Sequence, residues 1–422
     1  MYKTVIKQSI RALFFISLFV CVVFITAVLT RNIYHPKLKS IRPYVLYIAD
    51  LPKEVYRQFF LGLETDSPIL PKSVRTIKFD PTIISNNIIY RHKGKIFENG
   101  NQIFENGILS DQPIFFIDSK KHYILSRRDG NIIKQEINEN ALRTVWEISV
   151  PYLHHEIFVD DDGYIYSPTY FPIKDGENSE IVKRLARILA KDNSPPYGKT
   201  GDNYRDDGVI VISPEGKIVH QLGLTDLFET NDLLYLLYAF GLETDPFHLN
   251  SVYPAKMDNG AIKKGDLLIS LRHKSILMIY RPSSLKVIWH QVGPWLNQHS
   301  AKFDEKGNIY VFDNNIIETH YSRTRENNGE LENRILVFDT KSGKVGELRA
   351  CIDNKDVWTA TGGFVNIENG TVITSFPNTA TTILCNLISM KKTVMSPDID
   401  SFGKVIPGTE YQIIGIESRV QK

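Results

Sequence analysis

The sequence predicts an all-β domain, a β-propeller of six blades, carried behind an N-terminal transmembrane helix and interrupted by two helical insertions. Three observations lead there. From about residue 85 onward, short runs of β-branched and aromatic residues alternate with Gly, Asn, Asp and Pro turns. Several of these runs are copies of one another. Ahead of them, Ala12 to Thr30 (ALFFISLFVCVVFITAVLT) contains neither charge nor proline.

The copies are of two kinds. Asp162 to Tyr166 (DGYIY), Gly307 to Tyr310 (GNIY) and Gly370 to Ile373 (GTVI) share a pattern of turn followed by strand. Val209 to Gln221, Ser275 to His290 and Arg334 to Leu348 each read as strand, polar turn, strand. The two kinds alternate, as four-stranded blades require, and roughly 300 residues suit about six blades. The insertions stand out by their period. Ile181, Val182, Leu185, Ile188 and Leu189 form a 3.6-period stripe opposite Lys183, Arg184 and Arg187, which reads as a helix packed on the propeller. Leu233 to Phe240 (LLYLLYAF) is apolar all round and reads as a buried segment or a lid.

At about 1.5 Å of rise per residue, the apolar stretch 12–30 spans the ~30 Å hydrocarbon core of a bilayer. Lys3, Lys7 and Arg11 precede it, and no Ala-x-Ala cleavage site follows, so an uncleaved anchor is expected rather than a signal peptide. The predicted organisation is a tail over 1–11, an anchor over 12–30, a neck over 31–84 and the propeller over 85–422. The neck holds one short helix, Pro52 to Leu63. A short tail before a large C-terminal domain favours export. The expectation is a single-pass inner-membrane protein with its domain in the periplasm or outside, although Arg31, Lys37, Lys39 and Arg42 blunt the charge asymmetry.

Composition narrows the partners. Apolar residues make up 42% of the 422-residue chain and charged residues 23%, which is globular composition rather than disorder. Lys plus Arg number 50 against 48 for Asp plus Glu, and with no dense basic run a nucleic-acid partner is excluded. Of three cysteines, Cys21 lies in the anchor. Cys351 and Cys385 either pair in an oxidising compartment or remain two buried thiols.

Chemistry gathers around histidines. His155 stands eight residues before Gly163 and His299 eight before Gly307, so both occupy one slot in two repeats, at the start of an inner strand. In the repeat ending at Gly370 that slot falls on Gly362, so the fold does not demand histidine there. Asp245 to Val252 (DPFHLNSV) supplies His248 at a comparable position, and Leu267 to Arg272 (LLISLR) should return antiparallel, bringing Arg272 back to the level of His248. His155, His248, Asn250, Arg272 and His299 are therefore expected to converge. His154 and His273 adjoin them, but strand alternation should point each away. His122, His220, His290 and His320 read as structural. Three histidines can also hold a metal, yet an Arg among the ligands would repel the ion and no carboxylate offsets it, so no metal and no dissociable cofactor are expected. Arg, His and Asn together suit an oxyanion such as sulfate or phosphate.

These residues carry a resemblance. HHEIFVDDDG, DPFHLNSV, LLISLRH and QHSAKFDEKGNIYVFDNN, in that order over about residues 145–375, resemble the motifs of the bacterial arylsulfate sulfotransferase family. The resemblance implies a six-bladed propeller that moves a sulfuryl group from an aryl sulfate to a phenolic acceptor, without a nucleotide donor, through a sulfohistidine. It makes His299 the nucleophile, places His248, Arg272 and Asn250 on the sulfuryl oxygens, and gives His155 the proton of the phenol. A homodimer is among its implications. The chain departs from the family in its short neck and in the brief connection between Gly293 and Gln298, where family members can carry a long insertion. Two other functions compete: a non-catalytic envelope propeller that binds an anionic ligand or a partner protein, and a hydrolase of the same site in which water replaces the phenol.

Overall fold

The computed structural model describes residues within 87–172, 205–236, 247–315 and 333–417, with gaps in the first and last of these stretches. The expected anchor, the neck helix and the 181–189 stripe lie outside the described residues. Among the described residues no helix is long and apolar enough to cross a membrane.

Among the described residues there are six four-stranded antiparallel sheets. The first joins β1 (Asn87–His92), β2 (Lys95–Glu98) and β3 (Asn101–Glu105) to β24 (Gln412–Glu417) from the other end of the chain. Next come β4 (Ile114–Asp118), β5 (Tyr123–Arg128), β6 (Asn131–Asn138) and β7 (Ala141–Ser149). The third sheet holds β8 (Phe158–Val159), β9 (Ile165–Pro172), β10 (Arg205–Ile212) and β11 (Ile218–Gly223). The fourth holds β12 (Leu249–Pro254), β13 (Leu267–Leu271), β14 (Ile276–Arg281) and β15 (Lys286–Val292). The fifth holds β16 (Ser300–Phe303), β17 (Ile309–Asp313), β18 (Arg334–Phe338) and β19 (Val345–Glu347). The sixth holds β20 (Phe364–Glu368), β21 (Thr371–Phe376), β22 (Thr381–Asn386) and β23 (Lys392–Met395).

The arrangement is propeller-like because, from the second sheet to the sixth, each packs face to face on the next. Ile132 of β6 meets Ile165 and Ile210 of the third sheet. Val209 of β10 packs with Val252, Ile269 and Met278 of the fourth. Leu268 and Leu277 pack with Ala301, Val311 and Leu336 of the fifth, and Phe312 with Val365 and Phe376 of the sixth. Fully buried strands such as β12, β13 and β17 read as continuous apolar runs rather than alternating ones, since neighbours cover both faces. The first strands of four sheets also meet one another. Lys302 of β16 pairs with Glu156, and its Nζ lies 5.9 Å from the ring of Phe158, 5.6 Å from Tyr253 and 4.2 Å from Phe364.

The repeated turns have a common cause. Asp160 Oδ1 accepts the backbone N–H groups of Asp162 and Tyr164 at 3.0 and 2.8 Å. Asp304 Oδ1 accepts those of Lys306 and Asn308, both at 2.8 Å. Each turn then needs a left-handed residue, supplied by Gly163 at φ 85° and Gly307 at φ 80°. The turn ending at Gly370 is one residue shorter, because Glu368 pairs directly with Thr371. Counting back from it as for the others therefore misplaces the slot: the residue before β20 is Gly363, not Gly362.

Two short helices were not apparent from periodicity. The helix α1 (Leu224–Thr230) buries Leu224, Leu227 and Phe228 against the third and fourth sheets, and α2 (Arg349–Ile352) follows β19. Of the apolar stretch 233–240, Leu233 to Leu236 are described, with Leu233 and Leu236 buried in the same cluster, and the rest lies outside the described residues.

Cys351 of α2 and Cys385 of β22 form a disulfide across a sequence separation of 34, fully buried. A crosslink of that span typically stabilises by about 2–4 kcal/mol. Reductant should lower the unfolding midpoint of the wild-type chain, and a C351S/C385S variant should start low and not respond. A wild-type midpoint indifferent to reductant would mean two thiols.

Candidate active site

Four strands deliver the five predicted residues to one place. His155 lies before β8, His248 immediately before β12, Asn250 within it, Arg272 just after β13, and His299 just before β16. The antiparallel register pairs Leu249 with Leu271, and the Arg272 N–H donates to the His248 carbonyl at 3.1 Å, so the return of Arg272 to the level of His248 is a matter of strand geometry. His155 Nε2 lies 3.1 Å from His248 Nε2, and the His155 and His299 rings are 5.2 Å apart between centroids. One nitrogen from each of these three rings falls within a 4.8 Å cluster.

Such a cluster has the spacing of a three-histidine metal site. Its electrostatics suit an anion instead. The Arg272 guanidinium is 2% exposed, and its charge depresses the basicity of all three imidazoles. Burial is the larger cause in each case. It drives His299 down to about 3, against a small opposing lift from a hydrogen bond with the Gly363 backbone. His155 and His248 fall well below the usual histidine range through burial first and neighbouring imidazoles second. Neutral imidazoles next to a buried cation leave the pocket in need of negative charge. A group with negative charge spread over several oxygens supplies what is missing.

His299 is held for one role. One ring nitrogen is engaged with the Gly363 backbone, which leaves the other with its lone pair and no proton. Its own backbone N–H donates to the Phe312 carbonyl at 2.9 Å. Gly363 is needed where it stands: its φ is 105°, and a Cβ there would come within 2.1 Å of the Phe312 ring.

Several residues noticed in the sequence only as parts of motifs prove to be fasteners. Gln298 Nε2 donates to Ser270 Oγ, Leu271 O and Ile276 O at 3.1, 3.2 and 3.0 Å, and so clamps the turn that carries Arg272. Asn250 Nδ2 donates to the Gln298 carbonyl at 2.8 Å, so at least one of its amide protons holds the neighbour of His299. Asp313, ion-paired with Arg334, accepts the Leu296 N–H at 2.8 Å and orders the brief connection that precedes His299. Asn314 Nδ2 donates to Gly362 O at 2.8 Å and steadies the backbone that meets His299.

Two expectations are overturned. His154 and His273 do not point away. His154 Nδ1 lies 2.6 Å from His155 Nδ1, and the His273 ring packs on His248 with centroids 4.2 Å apart. Neither pair lies within a strand, and His155 and His248 adopt left-handed φ values of 54° and 51°, so period-2 alternation does not apply. Asp207, which meets His154, was also missed, because a long connection separates β9 from β10 in the sequence. His220 and His290 sit on β11 and β15, the outer strands of their sheets, whereas His122 and His320 lie outside the described residues.

A family model described as Arylsulfotransferase (ASST) matches residues 108–383. The chain belongs to the arylsulfotransferase family. No curated protein matches it. Solved structures similar to the chain include a protein of unknown function from Bacteroides caccae, 12% identical, covering 76% of this chain and 93% of that one with a TM-score of 0.39. Another is a catalytically inactive virginiamycin B lyase from Staphylococcus aureus with quinupristin, 11% identical, covering 70% and 73% with a TM-score of 0.35. Likeness at this level carries no weight for function. The arylsulfotransferase match runs from ahead of β4 into β22 and covers all of the clustered residues.

The buried imidazoles make stability depend on pH. In the unfolded chain they titrate near 6.5, and in the folded chain only well below it, His299 at about 3. Acidification from about pH 6.5 toward 3 therefore loads protons on the unfolded state first, and stability falls across that window. Denaturant melts at pH 7 and pH 4.5 should show the loss, and His299→Gln should flatten it. An unchanged slope in that variant would mean that the His299 imidazole is protonated when folded.

Proposed function

We propose that this arylsulfotransferase-family chain transfers a sulfuryl group between phenols by way of a sulfated His299. The observation that carries the proposal is a half-buried imidazole gathered with those of His155 and His248 within 4.8 Å, tied at one nitrogen to the Gly363 backbone and kept neutral beside the Arg272 charge. The free nitrogen attacks the sulfur of an aryl sulfate; the N–S bond forms as the S–O bond to the ring breaks, and the phenolate leaves with the bonding pair. Arg272, His248 and the remaining amide proton of Asn250 hold the sulfuryl oxygens, where charge is spread in the transition state. In the second half, an acceptor phenol gives its proton to His155 Nε2. Its oxygen then bonds to sulfur, the N–S bond breaks, and His299 is restored. No cofactor enters either half.

We place this activity on a closed six-bladed propeller, with each sheet a blade and the seating of β24 on β1 as the closure. The apolar stretch 12–30 tethers it to the inner membrane as a single pass, with the domain in the periplasm or outside. A buried disulfide, which persists in oxidising compartments, supports that side. The partners are then an aryl sulfate, a phenol and the bilayer, with no nucleic acid, and a second copy in a homodimer.

The deciding experiment exposes the purified full-length chain briefly to 4-nitrophenyl sulfate without acceptor. Nitrophenolate release with one sulfuryl group gained on the His299 peptide is the expected result. Turnover without an adduct points to a hydrolase. Neither release nor adduct returns the pocket to anion binding. His299→Ala should abolish the adduct while the unfolding midpoint at pH 7 stays close to wild type; a chain that unfolds would make His299 structural.

Arg272→Lys tests the clamp. A point charge cannot reproduce a planar fork, so transfer should fall by about 10- to 100-fold. Near-native turnover would remove Arg272 from the sulfuryl group.

A further inference from the structure

Behind His155 runs a line of polar atoms that leads out of the oxyanion pocket. Asp207 Oδ1 lies 3.1 Å from His154 Nε2. His154 Nδ1 lies 2.6 Å from His155 Nδ1, and His155 Nε2 faces His248 Nε2 at 3.1 Å. His154 is also stacked on Tyr170, with centroids 4.0 Å apart. Asp207 is 2% exposed and fixed from a second direction, since its Oδ2 accepts the Leu249 N–H at 3.3 Å. The adjacent Asp206 turns the other way. Its Oδ1 accepts the Thr225 hydroxyl at 2.7 Å, and burial pushes it up to about 8, so Asp206 serves Thr225 and leaves His154 to Asp207.

We infer that Asp207 and His154 form a relay that orients His155 and sets which of its nitrogens receives the acceptor's proton. The hydrogen-bond logic admits one arrangement for neutral rings. The 3.1 Å contact between His154 Nε2 and Asp207 Oδ1 is not aligned as a hydrogen bond, but a lone pair facing a carboxylate oxygen at that distance would be repelled, so the His154 proton sits on Nε2. His154 Nδ1 is then an acceptor, and His155 must donate to it from Nδ1. His155 Nε2 is left with a lone pair, which faces His248 Nε2 at the edge of the pocket. When the phenol proton arrives at Nε2, the new imidazolium keeps its Nδ1–H on His154, and the positive charge is drawn toward the buried carboxylate. Asp207 and His154 touch no substrate; they are positioning residues, in an arrangement that generalises an acid behind a base. The inference rests on the transfer reaction proposed above, and deepens it by naming what makes His155 a base.

Two measurements separate the relay from that reaction. Nitrogen-15 spectra of the full-length wild-type chain, with His155 assigned by loss of its signals in His155→Gln, report the tautomer without any substrate. The expected form carries its proton on Nδ1, and Asp207→Asn should shift the population toward Nε2–H. A wild-type His155 protonated on Nε2 overturns the relay, whatever the enzyme transfers.

The second measurement divides the reaction. With 4-nitrophenyl sulfate as donor the leaving group needs little help, so Asp207→Asn should slow sulfation of His299 by less than about tenfold. Transfer onward should slow by about 100-fold, more for phenol than for a more acidic nitrophenol acceptor. Equal losses in both halves, at an unchanged melting midpoint, would make Asp207 merely structural. Should Asp207→Asn fail to fold, His154→Gln cuts the same line and must show the same division. A wild-type chain that labels no histidine at all counts against the transfer reaction, and the tautomer then judges the relay alone.

Discussion

Arg272 brings a buried guanidinium to a pocket of buried and half-buried imidazoles, and the three rings share that space by remaining unprotonated. Buried charge is costly for a fold to hold, and a second cation beside it would compound the cost. Burial of the rings and the nearby guanidinium act in the same direction, so neutrality is a property of the place rather than of any one residue. A pocket of this kind favours a ligand whose negative charge is diffuse and whose oxygens can be reached from several sides. The same neutrality turns histidine from a cation into a nucleophile or base, so binding and chemistry follow from one electrostatic condition.

Holding that condition demands unusual backbone. His155 and His248 occupy the left-handed region, which costs a residue with a Cβ of order 1–3 kcal/mol. The surrounding fasteners keep them there. Gln298 clamps the turn of Arg272, Asn250 grips Gln298, Asp313 orders the chain before His299, and Asn314 steadies the carbonyls of the next sheet. Side chains from one sheet thus fix the loops of its neighbour, and placement of the cluster is shared among the third to sixth sheets. Stiffness of that kind preserves the spacing of the reacting nitrogens, which electrostatic catalysis requires.

Much of this was legible in the sequence, for a definite reason. Strand, Asx turn and glycine recur at fixed spacing, so equal offsets from Gly163 and Gly307 imply equal places in space, and His155 and His299 do share one. Antiparallel return placed Arg272 opposite His248 by counting alone. The reasoning failed where the chain leaves regular geometry. A turn shorter by one residue moved the slot from Gly362 to Gly363, and left-handed residues cancelled the alternation expected of His154 and His273. Asp207 was out of reach altogether: its contact with His154 depends on the pairing of Asp207 with Tyr170 across a long connection, which no local pattern encodes.

The first sheet is built from both ends of the chain, with β24 laid against β1. Its closing strand is the last described to leave the ribosome, whereas the residues of the pocket belong to segments made well before it. Synthesis therefore delivers the cluster early and β24 late, and in the interval β1 presents an open edge to any extended peptide nearby.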